Sequence, residues 1–414
     1  MKKLILVSIL AIWFVIPAVS QEHLLRFGDV RGDNVLFTYE GDLWSATTSG
    51  GGASRLTNDN GEERFGKFSP DGKWIAFTGE YDGGMDVYLM PAWGGPPTRL
   101  TWHPAPDLVL GWTPDGKEIL FRSRREYPMR GEQIYAIRAD GGTERKLPVD
   151  RGGLACISPD GKSIAYNRIS GENATWKRHE GGDAQDIWWG SLETHDYKIM
   201  APWRGMDNYP MWHGVHIYFT SDRYDGTLNI CKFDTKTGEV KRLTNYSDYD
   251  VKYPSLGDGK IIYNYHEKLH ILELSTEKVT PLDIRLSSDR VHTRTDYVDP
   301  GDVTRTFAVS PCGKWLLLES RGEILMIPAD KEDKGFARNL TNTSGVREKD
   351  PAISPDGKWI AYISDKTGEE EIYVIDSKGE KPARQFTTNG RGFKMNLRWS
   401  PDSKCVLFHD KHMR

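Results

Sequence analysis

An all-β fold is what this sequence predicts, on three observations. The phrase Ser69-Pro70-Asp71-Gly72-Lys73 returns as Thr113-Pro-Asp-Gly-Lys117, Ser158-Pro-Asp-Gly-Lys162 and Ser354-Pro-Asp-Gly-Lys358. Its copies keep a period: Asp71, Asp115 and Asp160 stand 44 and 45 residues apart. Each copy is followed by a short run such as Trp74-Ile-Ala-Phe77, which reads as a buried strand. With 42 Gly, 14 Trp and 18 Tyr, the composition is that of many tight turns between aromatic-rich strands. A strand-rich repeat of about 40–45 residues is the signature of propeller blades. The fold predicted is a six-bladed β-propeller followed by the first two to three blades of a second propeller.

Within the repeat, Pro presets φ, Asp bonds its own backbone and Gly supplies a positive φ. In blade 2, Glu63–Ser69 is the innermost strand A, and Lys73–Thr78 after the turn is strand B. Asp86–Met90 is strand C, and Thr98–Thr101 is the outer strand D. Counted this way, the blades fall at about 23–57, 63–101, 108–147, 153–200, 208–244 and 250–283. Blade 4 carries an insertion between strands B and C. Blade 5 replaces the Pro-Asp-Gly turn with Trp212-His-Gly-Val-His216. Weaker copies of the turn are Gly257-Asp-Gly-Lys260, Ser310-Pro-Cys-Gly-Lys314 and Ser400-Pro-Asp-Ser-Lys404. Every blade has its strands in sequence order, so closure is expected by side-chain packing between blades 1 and 6 without strand exchange.

The domains expected are a propeller over 21–285, a connection over 286–301 and an incomplete second propeller over 302–414. Two and a half blades cannot close a ring, since propellers have about four to eight. The sequence therefore predicts the N-terminal part of a longer protein. Ahead of the blades, Lys2 and Lys3 precede the apolar run Leu4–Ile16 and the small-residue site Ala18-Val19-Ser20. Segment 1–20 reads as a secretory signal peptide cleaved before Gln21, and implies a periplasmic or secreted protein. The competing reading, an uncleaved anchor, needs about 20 apolar residues. No Cys follows the cleavage site, which disfavours a lipoprotein, and no other segment reads as a membrane span.

A net charge of −4 and the lack of a basic run give nucleic-acid binding no support. Cys156, Cys231, Cys312 and Cys405 are spread over separate repeats, so buried free thiols are expected, with a disulfide the minority reading. No cofactor or metal is expected. His213 and His216 could pair on a metal, but turn and strand chemistry explains them better. No Gly-x-Ser-x-Gly elbow is present.

Alternating strand direction puts the B–C and D–A loops on one face and the repeated Pro-Asp-Gly turns on the other. The repeated turns read as scaffold, and the individual residues lie in the first set of loops. The candidate contact residues for peptides or a protein partner are Arg124 and Arg125 of blade 3, Trp176, Lys177, Arg178 and His179 of blade 4, and Arg223 of blade 5. Against each stands the plainer reading of a solvated loop tip.

Trp176-Lys177-Arg178-His179-Glu180-Gly181-Gly182 followed by Asp186-Ile187-Trp188 resembles the tricorn protease family. So do Asp42-Leu43-Trp44 and the junction Ser288-Asp289-Arg290. The resemblance spans essentially all of 23–414. It implies the propeller region of a large serine peptidase whose catalytic residues lie C-terminal to both propellers. That part is absent here, so no catalytic residue is assigned, and this chain alone is expected to be inactive. It also implies propellers that control passage of peptides, with the C-terminal catalytic region as partner; a homo-oligomer is also admitted. The family's basic pair before blade 3 is missing, since Trp102-His103-Pro104-Ala105-Pro106-Asp107 stands there. The alternatives are a periplasmic propeller like that of the Tol system, docking a protein partner; a propeller accessory to a hydrolase of the dipeptidyl peptidase IV type; and a polysaccharide lyase.

Overall fold

The computed structural model describes residues 24–126, 131–170, 178–288, 299–330, 336–390 and 392–410. Segment 1–20, Trp176, Lys177 and the Asp289-Arg290 part of the junction lie outside them. No described helix is long and apolar enough to cross a membrane. The chain divides into two compact units, 1–172 with 185–291 and 173–184 with 292–414.

Among the described residues, the first unit holds six four-stranded antiparallel sheets, each paired A-B-C-D in chain order. Their inner strands are Arg26–Arg31, Glu63–Phe68, Asp107–Trp112, Ala155–Ile157, Asp207–His213 and Lys252–Gly257. Each touches the next, and the sixth touches the first, so the blades form a ring. Apolar residues of facing sheets interdigitate between blades. Ala76, Val87 and Leu89 of blade 2 pack on Val109, Ile119 and Phe121 of blade 3.

The repeated phrase makes its own hydrogen bonds. The Ser69 hydroxyl donates to Asp71 Oδ1 at 2.6 Å, and the Lys73 amide donates to the same oxygen at 3.1 Å. Ser158, Ser354 and Ser400 do the same for Asp160, Asp356 and Asp402. These bonds hold the Asp71 carboxyl below the usual carboxylate range. Gly72 takes φ 73°. Blades end on a second recurrent device, in which the Thr101 hydroxyl accepts the Val87 amide at 2.9 Å. Thr57, Thr244, Thr341 and Thr387 repeat it, pinning strand D to the start of strand C.

Closure departs from expectation. Blades 1 and 6 do pack side chains, with Val35, Phe37 and Trp44 against Ile262, Leu269 and Ile271. The chain beyond blade 6 also forms a two-residue strand, Ile284–Arg285, parallel to Gly51–Gly52 before strand D of blade 1. The Gly51 amide donates to Asp283 O at 2.8 Å and the Ala53 amide to Arg285 O at 3.0 Å. The run Gly50-Gly51-Gly52 lets this strand come close: a Cβ on Gly50 would meet Asp283 O at 2.6 Å. Glycines free of side chains make a pairing edge that the blade count does not reveal.

Among the described residues, the second unit holds two further four-stranded sheets, opening with Thr304–Val309 and Glu348–Ile353, and the pair Lys394–Trp399 and Val406–Asp410. All four cysteines are free. The expectation of buried thiols holds for Cys231, which burial pushes up to about 12. It fails for Cys312 and Cys405, which are exposed because they sit in or beside an A–B turn.

Candidate functional site: the lumen of the first ring

Inner strands of this ring are interrupted by bulges. Pairing with strand B slips between Arg26 and Asp29, Arg64 and Lys67, Val109 and Gly111, Asn208 and Met211, and Lys252 and Ser255. A bulge adds a residue, bends the strand and re-aims a side chain. In four blades the first bulged residue is aromatic and has left-handed backbone: Phe27 at φ 54°, Phe65 at 56°, Tyr209 at 57° and Tyr253 at 50°. A Gly or Pro follows each one, as Gly28, Gly66, Pro210 and Pro254.

All four line a central cavity of about 270 Å³ whose wall comes from every inner strand of the ring. Phe27 lies 4.5 Å from Phe65 and 4.6 Å from Tyr253, centroid to centroid, and Tyr209 lies 6.3 Å from Tyr253. The rings form an arc over blades 5, 6, 1 and 2. Each is the second or third residue of its strand A, near the D–A connection. The arc therefore lies toward the face that carries the B–C and D–A loops.

Charges in the wall are paired. Asp29 accepts from Ser255 Oγ at 2.5 Å and from the Phe68 amide at 2.8 Å, and Lys67 Nζ stands 3.4 Å away. This one buried carboxylate of blade 1 thus ties blade 6 to blade 2. Arg122 faces Glu132 at 3.3 Å, and Arg31 faces Asp258 at 2.9 Å.

The loop residues named from sequence have varied surroundings. Arg125 Nη2 lies 2.5 Å from the buried Asp107 and its other terminal nitrogen 3.1 Å from Glu144, with the guanidinium over the Tyr135 ring. Arg223 repeats this in blade 5, at 2.6 Å from Asp207 and over Phe219. Both follow a strand-B serine by two positions, and both hold a carboxylate at the first residue of strand A. They fasten their own blades. Arg124 is exposed, with Nε 3.4 Å from Glu132. Arg178 falls in the second unit and pairs with Glu369 at 3.0 Å, and His179 is half-buried in the same unit. His213 and His216 face each other across a hairpin, and His216 Nε2 lies 3.5 Å from Asp234. No cluster fit to hold a metal occurs among the described residues.

Blade 2 lacks the arginine clasp. Tyr81 stands where Arg125 and Arg223 stand, and the strand-A carboxylate is Glu63. Glu63 is fully buried and accepts from the Thr57 hydroxyl at 2.6 Å. Burial pushes its carboxyl up to about 7, as it does that of Asp207 even beside Arg223.

Residues 22–278 match the family described as "Tricorn protease N-terminal beta propeller domain". The chain belongs to this family. It is 28% identical over 397 residues to "Tricorn protease homolog 1" of Streptomyces coelicolor, covering 93% of this chain and 37% of that protein. The "Tricorn protease homolog" of Saccharolobus solfataricus is 25% identical over 397 residues, covering 94% of this chain and 35% of the relative. The chain thus spans about a third of the length of these relatives. A solved structure, "Crystal structure of the tricorn protease", superposes with a TM-score of 0.57 at 18% identity, covering 93% of this chain and 46% of the other. That likeness bears on the fold. The family match covers the first ring up to the start of the last strand of blade 6, including all four arc residues.

Proposed function

We propose that this chain is the non-catalytic propeller part of an exported tricorn-like serine peptidase. In this reading the lumen of the first ring binds or gates peptides for proteolysis carried out elsewhere in the protein. The observation that carries it is the aromatic-lined cavity at the axis of a ring that belongs to the family. Bulged strands keep side chains aimed into that cavity, and the charges around it are compensated. The signal-like segment 1–20 supports export.

Binding of fluorescently labelled extended peptides to the chain, followed by anisotropy, tests the reading. Saturable binding without turnover of either peptide or polyuronate is the expected result. Turnover of either would overturn the non-catalytic assignment, and an absence of binding at millimolar chain would overturn the peptide-binding one. One observation favours a second reading, a docking module for a protein partner. Trp102, Trp203, Tyr224 and Tyr249 are exposed in D–A and B–C loops, and aromatic residues anchor interfaces. Recovery of a stoichiometric partner on the wild-type chain, lost on Trp102→Ala, would select that reading.

A further inference from the structure

We propose that the arc of Phe27, Phe65, Tyr209 and Tyr253 is a side-chain subsite that selects aromatic and large aliphatic residues within an extended polypeptide. The proposal rests on the peptide-binding reading above and adds the class of side chain preferred.

Contact between successive rings, at 4.5, 4.6 and 6.3 Å, makes one continuous aromatic wall. All four residues hold a backbone conformation that bulky side chains rarely adopt. Such conformations persist where the surroundings enforce them, and they gather at ligand sites. The arc is one-sided: at its bulge blade 3 offers Leu110, and blade 4 begins its short strand at Ala155. Space is left facing the rings. The cavity of about 270 Å³ lies just below the ~300–1,000 Å³ of typical ligand pockets. That size suits one side chain rather than a whole ligand.

Charge decides which side chain. Lys67 is held by Asp29 and Ser255, Arg122 by Glu132, and Arg31 by Asp258. An ionic guest would be desolvated against rings while these cations stay committed to their own carboxylates, which is costly. An apolar guest meets no such cost and gains ring contacts. A terminal carboxylate is disfavoured for the same reason, so the guest is an internal residue.

The test uses a labelled Gly-Ser host peptide with one central guest residue, titrated with the full chain and read by anisotropy. Phe and Leu guests are expected to bind about tenfold tighter than Lys, Glu or Ala guests, the equivalent of ~1.4 kcal/mol. Equal affinity for all guests would overturn the subsite while leaving the lumen reading standing. No binding of any guest would overturn both. Phe27→Gly removes a ring at a position whose backbone suits glycine, so the preference should disappear while host affinity is kept. A preference that survives in folded Phe27→Gly and Tyr253→Gly chains would overturn the assignment to the arc. Should these variants not fold, Leu110→Trp fills the open side of the cavity and is expected to abolish the preference. An unchanged preference in that variant would equally overturn it.

Discussion

In four blades of the first ring the strand-A bulge presents Phe27, Phe65, Tyr209 and Tyr253; in the second unit the same bulge presents Arg305, Asp350 and Asn396. Asp350 and Asn396 also have left-handed backbone, at φ 49° and 59°. Asn and Asp tolerate that region, whereas Phe and Tyr do not. The polar bulges are joined by hydrogen bonds: the Asp350 amide donates to Glu319 Oε2 at 3.2 Å, and the Asn396 amide to Asp350 Oδ2 at 3.3 Å. One backbone device thus serves two chemistries. Where the bulge is relaxed it carries polar links, and where it is strained it carries rings lining a cavity. The scaffold is common to both units, and the difference lies in what the bulge displays.

The largest expected effect comes from the pins beside these bulges. Asp29→Ala leaves Lys67 half-buried without its carboxylate and cuts the links from blade 1 to blades 6 and 2. It should cost about 3 kcal/mol, as breaking buried ion pairs does. Glu319→Ala in the second unit removes a carboxylate that accepts from the Asp350 amide and from Thr306 Oγ1 at 2.7 Å. No buried cation is left behind among these partners, so the loss should be about 1–2 kcal/mol. Urea unfolding of both variants gives the comparison. Equal losses would show that the first ring's seam does not depend on Asp29.

A smaller effect concerns the buried strand-A carboxylate of blade 2. Glu63 has Thr57 and Tyr81 as hydrogen-bond partners and the like charges of Asp42 and Asp59 near it, and burial raises it as it raises Asp207 beside Arg223. Below about 4.5 the Glu63 carboxyl is neutral in folded and unfolded chains alike; above that the unfolded chain ionises while the folded one keeps its proton up to about 7. Stability from this group is therefore present at low pH and is lost as pH rises through that window. Glu63→Gln should raise stability by about 1–3 kcal/mol at pH 8 and change it little at pH 4. Urea midpoints at the two pH values check this; a variant less stable than wild type at pH 8 would mean that the ionised carboxylate is well solvated in place.

The blades, their order and the Pro-Asp-Gly face were legible because each rests on local chemistry repeated at a fixed offset. The clasping roles of Arg125 and Arg223 were not, since loop arginines read as exposed until their carboxylates at Asp107 and Asp207 are placed in space. A signal for those roles existed in Ser123-Arg-Arg125 and Ser221-Asp-Arg223, the same serine–arginine offset in two blades. The arc also had a signal. Arg26-Phe-Gly28, Arg64-Phe-Gly66, Asn208-Tyr-Pro210 and Lys252-Tyr-Pro254 share one pattern, and Gly or Pro inside a strand marks a bulge. Read with strict strand alternation, those aromatics pass for core. The clasp of Ile284–Arg285 on Gly51–Gly52 pairs residues at opposite ends of the ring, and no local pattern announces it.

The smallest expected effect concerns the turn that builds both units. Gly72, Gly116, Gly161 and Gly357 hold φ between 70° and 75°, and in the last copy Ser403 holds 60°. An L-residue in that region costs about 1–2 kcal/mol relative to its relaxed state. Ser403 recovers part of this by accepting the Asp356 amide at 3.1 Å, an exposed bond worth about 0.5 kcal/mol. Glycine also loses more freedom on folding, which offsets a further fraction of the gain. Ser403→Gly should therefore stabilise by a few tenths of a kcal/mol up to about 1. The reverse change, Gly72→Ser, should destabilise by about 1 kcal/mol. Space is not the reason, since a Cβ on Gly72 meets only Arg31 Cγ at an ordinary 3.6 Å. Thermal melts of the two variants should move in opposite directions. If both fell, the Ser403 hydroxyl bond would outweigh backbone strain, and the seventh copy of the turn would be a designed variant of the phrase instead of a weakened one.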